Sequence, residues 1–155
     1  MSDVWADVYN DVVNVVKDAT PNTATRRGGK EFRHLESAFE PEDLREHGTA
    51  DRHFAVYASG QVSGDGMAGQ VTQYIGLVSD LTVVVAYTPP RRLSELLKML
   101  GQDRDLLKYK LEIPSGYSAA SKVWRREVTS SGFSVGDGNA ILTLEVEVAY
   151  RPNWT

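Results

Sequence analysis

The chain has no cysteine among its 155 residues. This excludes disulfide bonds, zinc sites built on cysteine and thiol nucleophiles, and it suits a reducing compartment. The N-terminus carries acids where a secretory signal would be basic, and no apolar run approaches the ~20 residues that span a bilayer. We therefore expect synthesis in a cytoplasm and no membrane association.

An excess of positive charge is also missing. The formal net charge is −4 and the pI is about 5.4, so sequence-independent binding to DNA, which needs a basic surface, is not expected. A hydrophobic fraction of 41% over 155 residues is typical of an ordinary soluble protein. We predict one domain, residues 1–155.

Two main helices are predicted. Valines recur every four residues over residues 2–19, which indicates an amphipathic helix. A second helix follows Pro89 and Pro90 and carries a leucine face. We expect Gly101 to end this helix, because glycine is common just after a helix C-terminus. The segment "QDRDLLKYKL", 102–111, is then a separate short turn or helix.

Four strands are predicted. "HFAVYASGQV" (53–62) and "SDLTVVVAY" (79–87) are expected to pair antiparallel, the second as a central strand buried on both faces. "SKVWRREVTSSGFSV" (121–135) and "NAILTLEVEVAYR" (139–151) form a hairpin, and the last alternates most clearly. The predicted fold class is α+β: one antiparallel four-stranded sheet packed by two main helices, in the order α-β-β-α-β-β.

Two long segments, 20–52 and 60–78, have no strong pattern and are predicted to be loops. Within the first, "FRHLESAF" and "EPEDLREHG" are expected to be short helical turns. Long loops in a compact domain are commonly functional or depend on assembly, and loops without their own core often order against a partner.

The second loop contains "SGDGMAG", in which Gly64, Gly66 and Gly69 match the dinucleotide-binding spacing G-x-G-x-x-G. That motif works only when a helix follows the glycine turn and presents its N–H groups to phosphate. The residues that follow are β-branched and aromatic, so we predict a hairpin tip. A small-ligand or nucleotide-binding module using this loop is kept as an alternative.

No catalytic or metal-binding pattern is recognised. His34, His47 and His53 lack a metal-ligand spacing even with Asp51 nearby, and no G-x-S-x-G motif is present. Alternating glutamates near the C-terminus are interpreted as a solvated sheet face. We therefore expect a protein that is not an enzyme, with no catalytic residue, no cofactor and no metal.

Several features together resemble the tail terminators of tailed phages, a group of small α+β neck and tail-completion proteins. They are the element order, the strand "DRHFAVYASG", the glycine loop leading into "SDLTVVVAYTPP", the amphipathic helix after it and the final strand "LTLEVEVAYR". The resemblance covers roughly residues 2–151 and includes no catalytic motif. Residues 20–52 have no counterpart in this pattern, which leaves open another neck component such as a head-completion or connector-associated protein.

The resemblance implies a structural virion protein at the head-proximal end of a phage tail. Such proteins form a ring, commonly a hexamer, that ends tail-tube polymerisation and joins the head connector. The implied partners are further copies of the chain, the tail tube protein and the connector or neck protein, and the implied location is the virion after assembly in the host cytoplasm. DNA would pass through the ring without specific binding. An acidic wall would favour this, with Glu145 and Glu147, or the acids of 40–46, as candidates.

Interface candidates follow from position and residue type, because tyrosine, tryptophan and arginine are enriched at protein interfaces. They are Arg26, Arg27, Arg33, Phe39, Asp65, Met67, Tyr74, Arg125, Arg126, Glu145, Glu147 and Trp154.

Overall fold

The computed structural model describes residues 4–24, 29–36, 52–64, 77–88, 92–112, 123–136 and 139–150. Within these ranges lie two helices, α1 (Val4–Asp18) and α2 (Leu93–Leu111), and five strands, β1 (Arg33–His34), β2 (His53–Gly64), β3 (Leu77–Tyr87), β4 (Val123–Gly136) and β5 (Asn139–Tyr150). The α+β class is confirmed.

The sheet has five strands in the order β1-β2-β3-β5-β4. β1 is parallel to β2 and the other neighbours are antiparallel, so the prediction of four purely antiparallel strands was wrong. The prediction of a short helical turn at "FRHLESAF" was also wrong in its first part, where Arg33 and His34 form a strand. The backbone N–H of Arg33 donates to the carbonyl of Arg52 (3.0 Å), and that of Leu35 donates to the carbonyl of Phe54 (2.8 Å). These edge hydrogen bonds hold the segment extended.

Helix α1 packs through its valine face. Val8, Val12, Val13 and Val16 are at most 5% exposed. Valine is a mediocre helix former, so burial of this face, at about 1.5–3 kcal/mol per large apolar side chain, holds the helix in place. Among the described residues, no helix is both long enough and apolar enough to cross a membrane.

Helix α2 runs through Gly101 without a break, so the prediction that this glycine ends the helix was wrong. Its buried residues continue at helical spacing on both sides: Leu96, Met99, Leu100, Asp103, Leu107 and Leu111. The second half of the helix is therefore anchored in the core. That packing outweighs the cost of about 1 kcal/mol for one glycine in a helix interior.

Both helices cover the same face of the sheet. The main core joins α1 and α2 to alternate residues of the strands, such as Phe54, Val83 and Leu144. A smaller cluster of Ala55, Val84, Ala86 and Ile141 lies on the opposite face. We call the helix-covered side the helix side and the other the open face. Residues 83–87 of β3 are all buried, which confirms the prediction of a central strand.

β2 and β3 form the predicted antiparallel pair, and their register runs from His53↔Ala86 to Gly64↔Leu77. The strands are longer than predicted, and the residues between them, 65–76, lie outside the described ranges. The glycine motif thus starts in a strand and lies between two antiparallel neighbours. The nucleotide-binding motif requires a parallel strand–helix–strand unit instead.

Candidate assembly surface

A groove on the helix side runs between α2 and β4. It has a volume of about 140 Å³ and lies between Leu97, Leu100, Gly101 and Arg104 of α2, Gly132 and Phe133 of β4, and Leu142 of β5. We call it the α2–β4 groove. The neighbouring strand supplies its base, because Phe133 is paired with Leu142 in the sheet register and therefore points to the same side.

Large apolar side chains stand exposed around this groove. Leu97 is 42% exposed, Leu93 63%, Phe133 53% and Val135 53%. Phe133 and Val135 point to the helix side, yet α2 does not cover them, since residues 129–136 of β4 are exposed throughout. Two of these side chains, Leu97 and Phe133, line the same groove, and exposed apolar side chains gathered at one groove commonly mark a surface that binds another protein.

Cations border the groove. Arg104 lines it and pairs with Asp105 at 3.0 Å, and Lys108, one turn further along α2, lies 3.8 Å from Glu112. The side chains of both pairs are largely exposed, so each pair contributes little to stability and can exchange partners readily. The groove therefore offers apolar contact beside two exposed ion pairs whose cations can turn to other partners.

The open face carries an acidic row. Asp80 of β3 is directly opposite Glu147 of β5, and Glu147 is directly opposite Glu127 of β4. Glu145 lies two residues from Glu147 on the same face and accepts a hydrogen bond from the Thr82 hydroxyl at 2.9 Å. Like charges directly opposite each other across strands destabilise a sheet.

Arg125 offsets part of this repulsion. Its guanidinium donates to Glu127 at 3.2 Å and to Glu147 at 3.1 Å. The described carboxylates on this face still outnumber it, because Asp80 and Glu145 add to the two that it contacts. The open face therefore presents net negative charge to whatever approaches it.

A buried polar network fastens α2 to the sheet. Arg52 and Asp103 are both 0% exposed. The Arg52 guanidinium donates twice to the Asp103 carboxylate, at 2.7 and 3.2 Å, and once to the Gly29 carbonyl at 3.2 Å, while the Tyr87 hydroxyl donates to Asp103 at 2.7 Å. Burial and the neighbouring carboxylate raise the pKa of Tyr87 well above its ordinary value. Since no solvent reaches these groups, we assign them a structural role.

Arg52 also has a left-handed backbone, with φ of 60°. A non-glycine residue in that region stores about 1–3 kcal/mol of strain. The side-chain contacts with α2 and the backbone bonds to Ala86 and Arg33 hold it there.

A second contact of this kind joins α1 to β1. The Tyr9 hydroxyl lies 3.0 Å from Nε2 of His34, whose ring centroid is 5.0 Å from that of Phe54. Partial burial lowers the pKa of His34, with a smaller contribution from Lys17, and Glu36 acts in the opposite direction. His34 is thus a half-buried packing residue. Within the described residues no group of three histidine, aspartate or glutamate side chains is placed to hold a metal ion.

The predicted interface residues fall in different places. Arg33 is exposed in β1 and pairs with Glu31 at 2.9 Å, and Arg125, Glu145 and Glu147 come together on the open face. Arg126 is 5% exposed and binds inside the protein, to the Leu111 carbonyl at 2.8 Å and to Asp11. The remaining candidates lie outside the described residues: Arg26, Arg27, Phe39, Asp65, Met67, Tyr74 and Trp154.

Sequence reasoning missed the α2–β4 groove. One signal was present: Phe133 and Val135 alternate in a stretch rich in serine and glycine, where a core strand would have apolar neighbours. The exposure of Leu93 and Leu97 depends on where α2 crosses the sheet, which the spacing of leucines does not reveal. Comparison with known protein families and with curated proteins finds no match to this chain.

Proposed function

We propose that the chain is a structural virion protein that forms a ring at the head-proximal end of a phage tail. The ring ends tail-tube polymerisation and provides the joint to the head connector. The partners of each subunit are other copies of the chain, the tail tube protein and a connector or neck protein. No catalytic step is assigned.

The α2–β4 groove is the observation that carries this proposal. Its apolar side chains, from Leu97 at 42% to Leu93 at 63% exposed, favour a subunit whose folding is completed by association. The acidic open face lies on the other side of the sheet. A subunit with two different binding surfaces forms heterologous, head-to-tail contacts with its neighbours. Such assemblies close into rings when the rotation between successive copies allows closure. The net charge of −4 suits a channel that DNA passes without being held.

The experiment removes the chain from the phage that encodes it and examines the particles by negative-stain electron microscopy. We expect headless tails of uncontrolled length, because tube growth has lost its stop. Supplying the chain from a plasmid restores normal particles. Normal tails of normal length in its absence would refute the proposal.

A further inference from the structure

We infer that the α2–β4 groove of one copy binds the acidic open face of the next copy. This rests on the proposed ring and deepens it by naming the two surfaces that meet. It concerns only the contact between copies, so it can fail while the role in a phage tail stands.

The two surfaces lie on opposite sides of one subunit. Phe133 points to the helix side with Leu142, whereas Glu127 and Glu147 point to the open face. They therefore cannot meet within one chain. A contact that joins two different patches on successive copies is heterologous, which is the type of interface that a ring requires.

Shape and polarity favour this pairing. Part of the open face is accessible in the subunit: the residues of its small apolar cluster are at most 8% exposed, but Asp80 and Glu127 of the acidic row are exposed. That face offers partly buried apolar side chains, Leu35 and Tyr57, around its small cluster. The exposed leucines of α2, Leu93 and Leu97, are the apolar counterparts that a neighbouring copy brings.

Charge complementarity identifies the occupant as a second copy. On α2, the exposed cations Lys98, Arg104, Lys108 and Lys110 outnumber the exposed carboxylates Glu95 and Asp105. On the open face, Asp80 and Glu127 are exposed and lie on either side of Glu147 in one row. A cation from outside relieves the repulsion along this row. Arg104 can supply it, because its present partner is an exposed neighbour in the sequence.

The test is a charge swap measured by sedimentation velocity over a range of protein concentrations. Arg104→Glu reverses charge at the groove, and Asp80→Arg reverses it on the open face. We expect each variant alone to weaken self-association about two- to fivefold, the size of effect that one exposed ion pair produces. An equal mixture of the two variants should recover association, since each contact then joins opposite charges again.

Two matched variants serve as controls. Lys17→Glu makes the same charge change on α1, away from the groove, and Asp18→Arg makes the other change at the exposed end of the same helix. Both should associate as the wild type does, and circular dichroism confirms that every variant is folded.

Three results would overturn the inference. In the first, the wild-type chain stays monomeric at its highest soluble concentration. In the second, folded Asp80→Arg associates as the wild type does. In the third, the mixture of the two variants associates no better than either variant alone. In the second case the groove would pair with another groove or another partner. The particle experiment described above tests the proposed function separately.

Discussion

The buried ion pair between Arg52 and Asp103 gives the sharpest prediction about stability. Replacing Asp103 by asparagine keeps the shape of the side chain and removes its charge. The Arg52 guanidinium then stays at 0% exposure with no counter-charge among the described residues. We expect Asp103→Asn to be strongly destabilising.

The magnitude follows from the geometry. Asp103 accepts two hydrogen bonds from Arg52 and one from Tyr87. Breaking a buried pair by removing one partner costs about 3–5 kcal/mol, because an uncompensated charge is left in the interior. For a chain of 155 residues, that loss lowers the thermal midpoint by about 6–20 °C. It is a large fraction of the roughly 5–15 kcal/mol by which domains are stable.

Urea unfolding followed by far-ultraviolet circular dichroism measures the effect. Asp105→Asn is the matched control, since it removes a carboxylate from the same helix whose side chain is 70% exposed; its midpoint should stay at the wild-type value. A triple variant, Arg52→Met with Asp103→Leu and Tyr87→Phe, removes the whole network. It should be less destabilised than Asp103→Asn, because no buried charge is left unpaired.

The reasoning is refuted if Asp103→Asn unfolds within about 1 kcal/mol of the wild type, well below the cost of an orphaned buried charge. It is equally refuted if the triple variant is the less stable of the two. Either result would mean that water or another group reaches Arg52 and compensates its charge.

Three further predictions concern titration and surface. Tyr87→Phe should cost about 1.5–3 kcal/mol, the contribution of a hydrogen bond to a charged group. The variant should also lose less stability above pH 10 than the wild type does. In the wild type the folded pKa of Tyr87 lies well above its ordinary value of 10.0, so the unfolded chain releases the tyrosine proton at a lower pH than the folded chain, and this favours unfolding. His34→Gln should lose less stability in acid than the wild type does. The folded pKa of His34 lies below its ordinary value of 6.5, so as the pH falls through 6.5 the unfolded state binds the proton first, and this favours unfolding of the wild type. The unfolding midpoint of each protein is measured from pH 8 down to pH 5. If it falls by the same amount in the variant and in the wild type, the prediction is contradicted. Phe133→Ser should leave the unfolding midpoint nearly unchanged, since the ring is 53% exposed, yet reduce self-association in light scattering; a large drop in the midpoint would mark Phe133 as a core residue.

Elements with strong periodicity could be predicted from the sequence. The valines of α1 lie on one face only if the segment is a helix, and the alternating residues of β5 lie on one face only if it is a strand. The structure has both elements with these faces buried. β1 could not be predicted in the same way. It has two residues, and its extended form comes from hydrogen bonds to Arg52 and Phe54, which are distant in sequence.

The prediction that α2 ends at Gly101 was wrong because a charged residue occupies a position on the buried face of the helix, which interrupts its apolar pattern. Asp103 occupies a core position between Leu100 and Leu107, where sequence reasoning expects an apolar side chain. Its partner Arg52 is 51 residues away, and no local pattern connects the two. The groove was missed for a related reason, since the exposure of Phe133 depends on where α2 stops covering β4.

The proposed function is a structural role in a phage tail. Quantitative mass spectrometry of purified particles from the phage that encodes it tests this most directly. We expect the intact chain to be present at a small, fixed number of copies per particle, far below that of the tail tube protein. Its absence from complete, infectious particles would contradict the account.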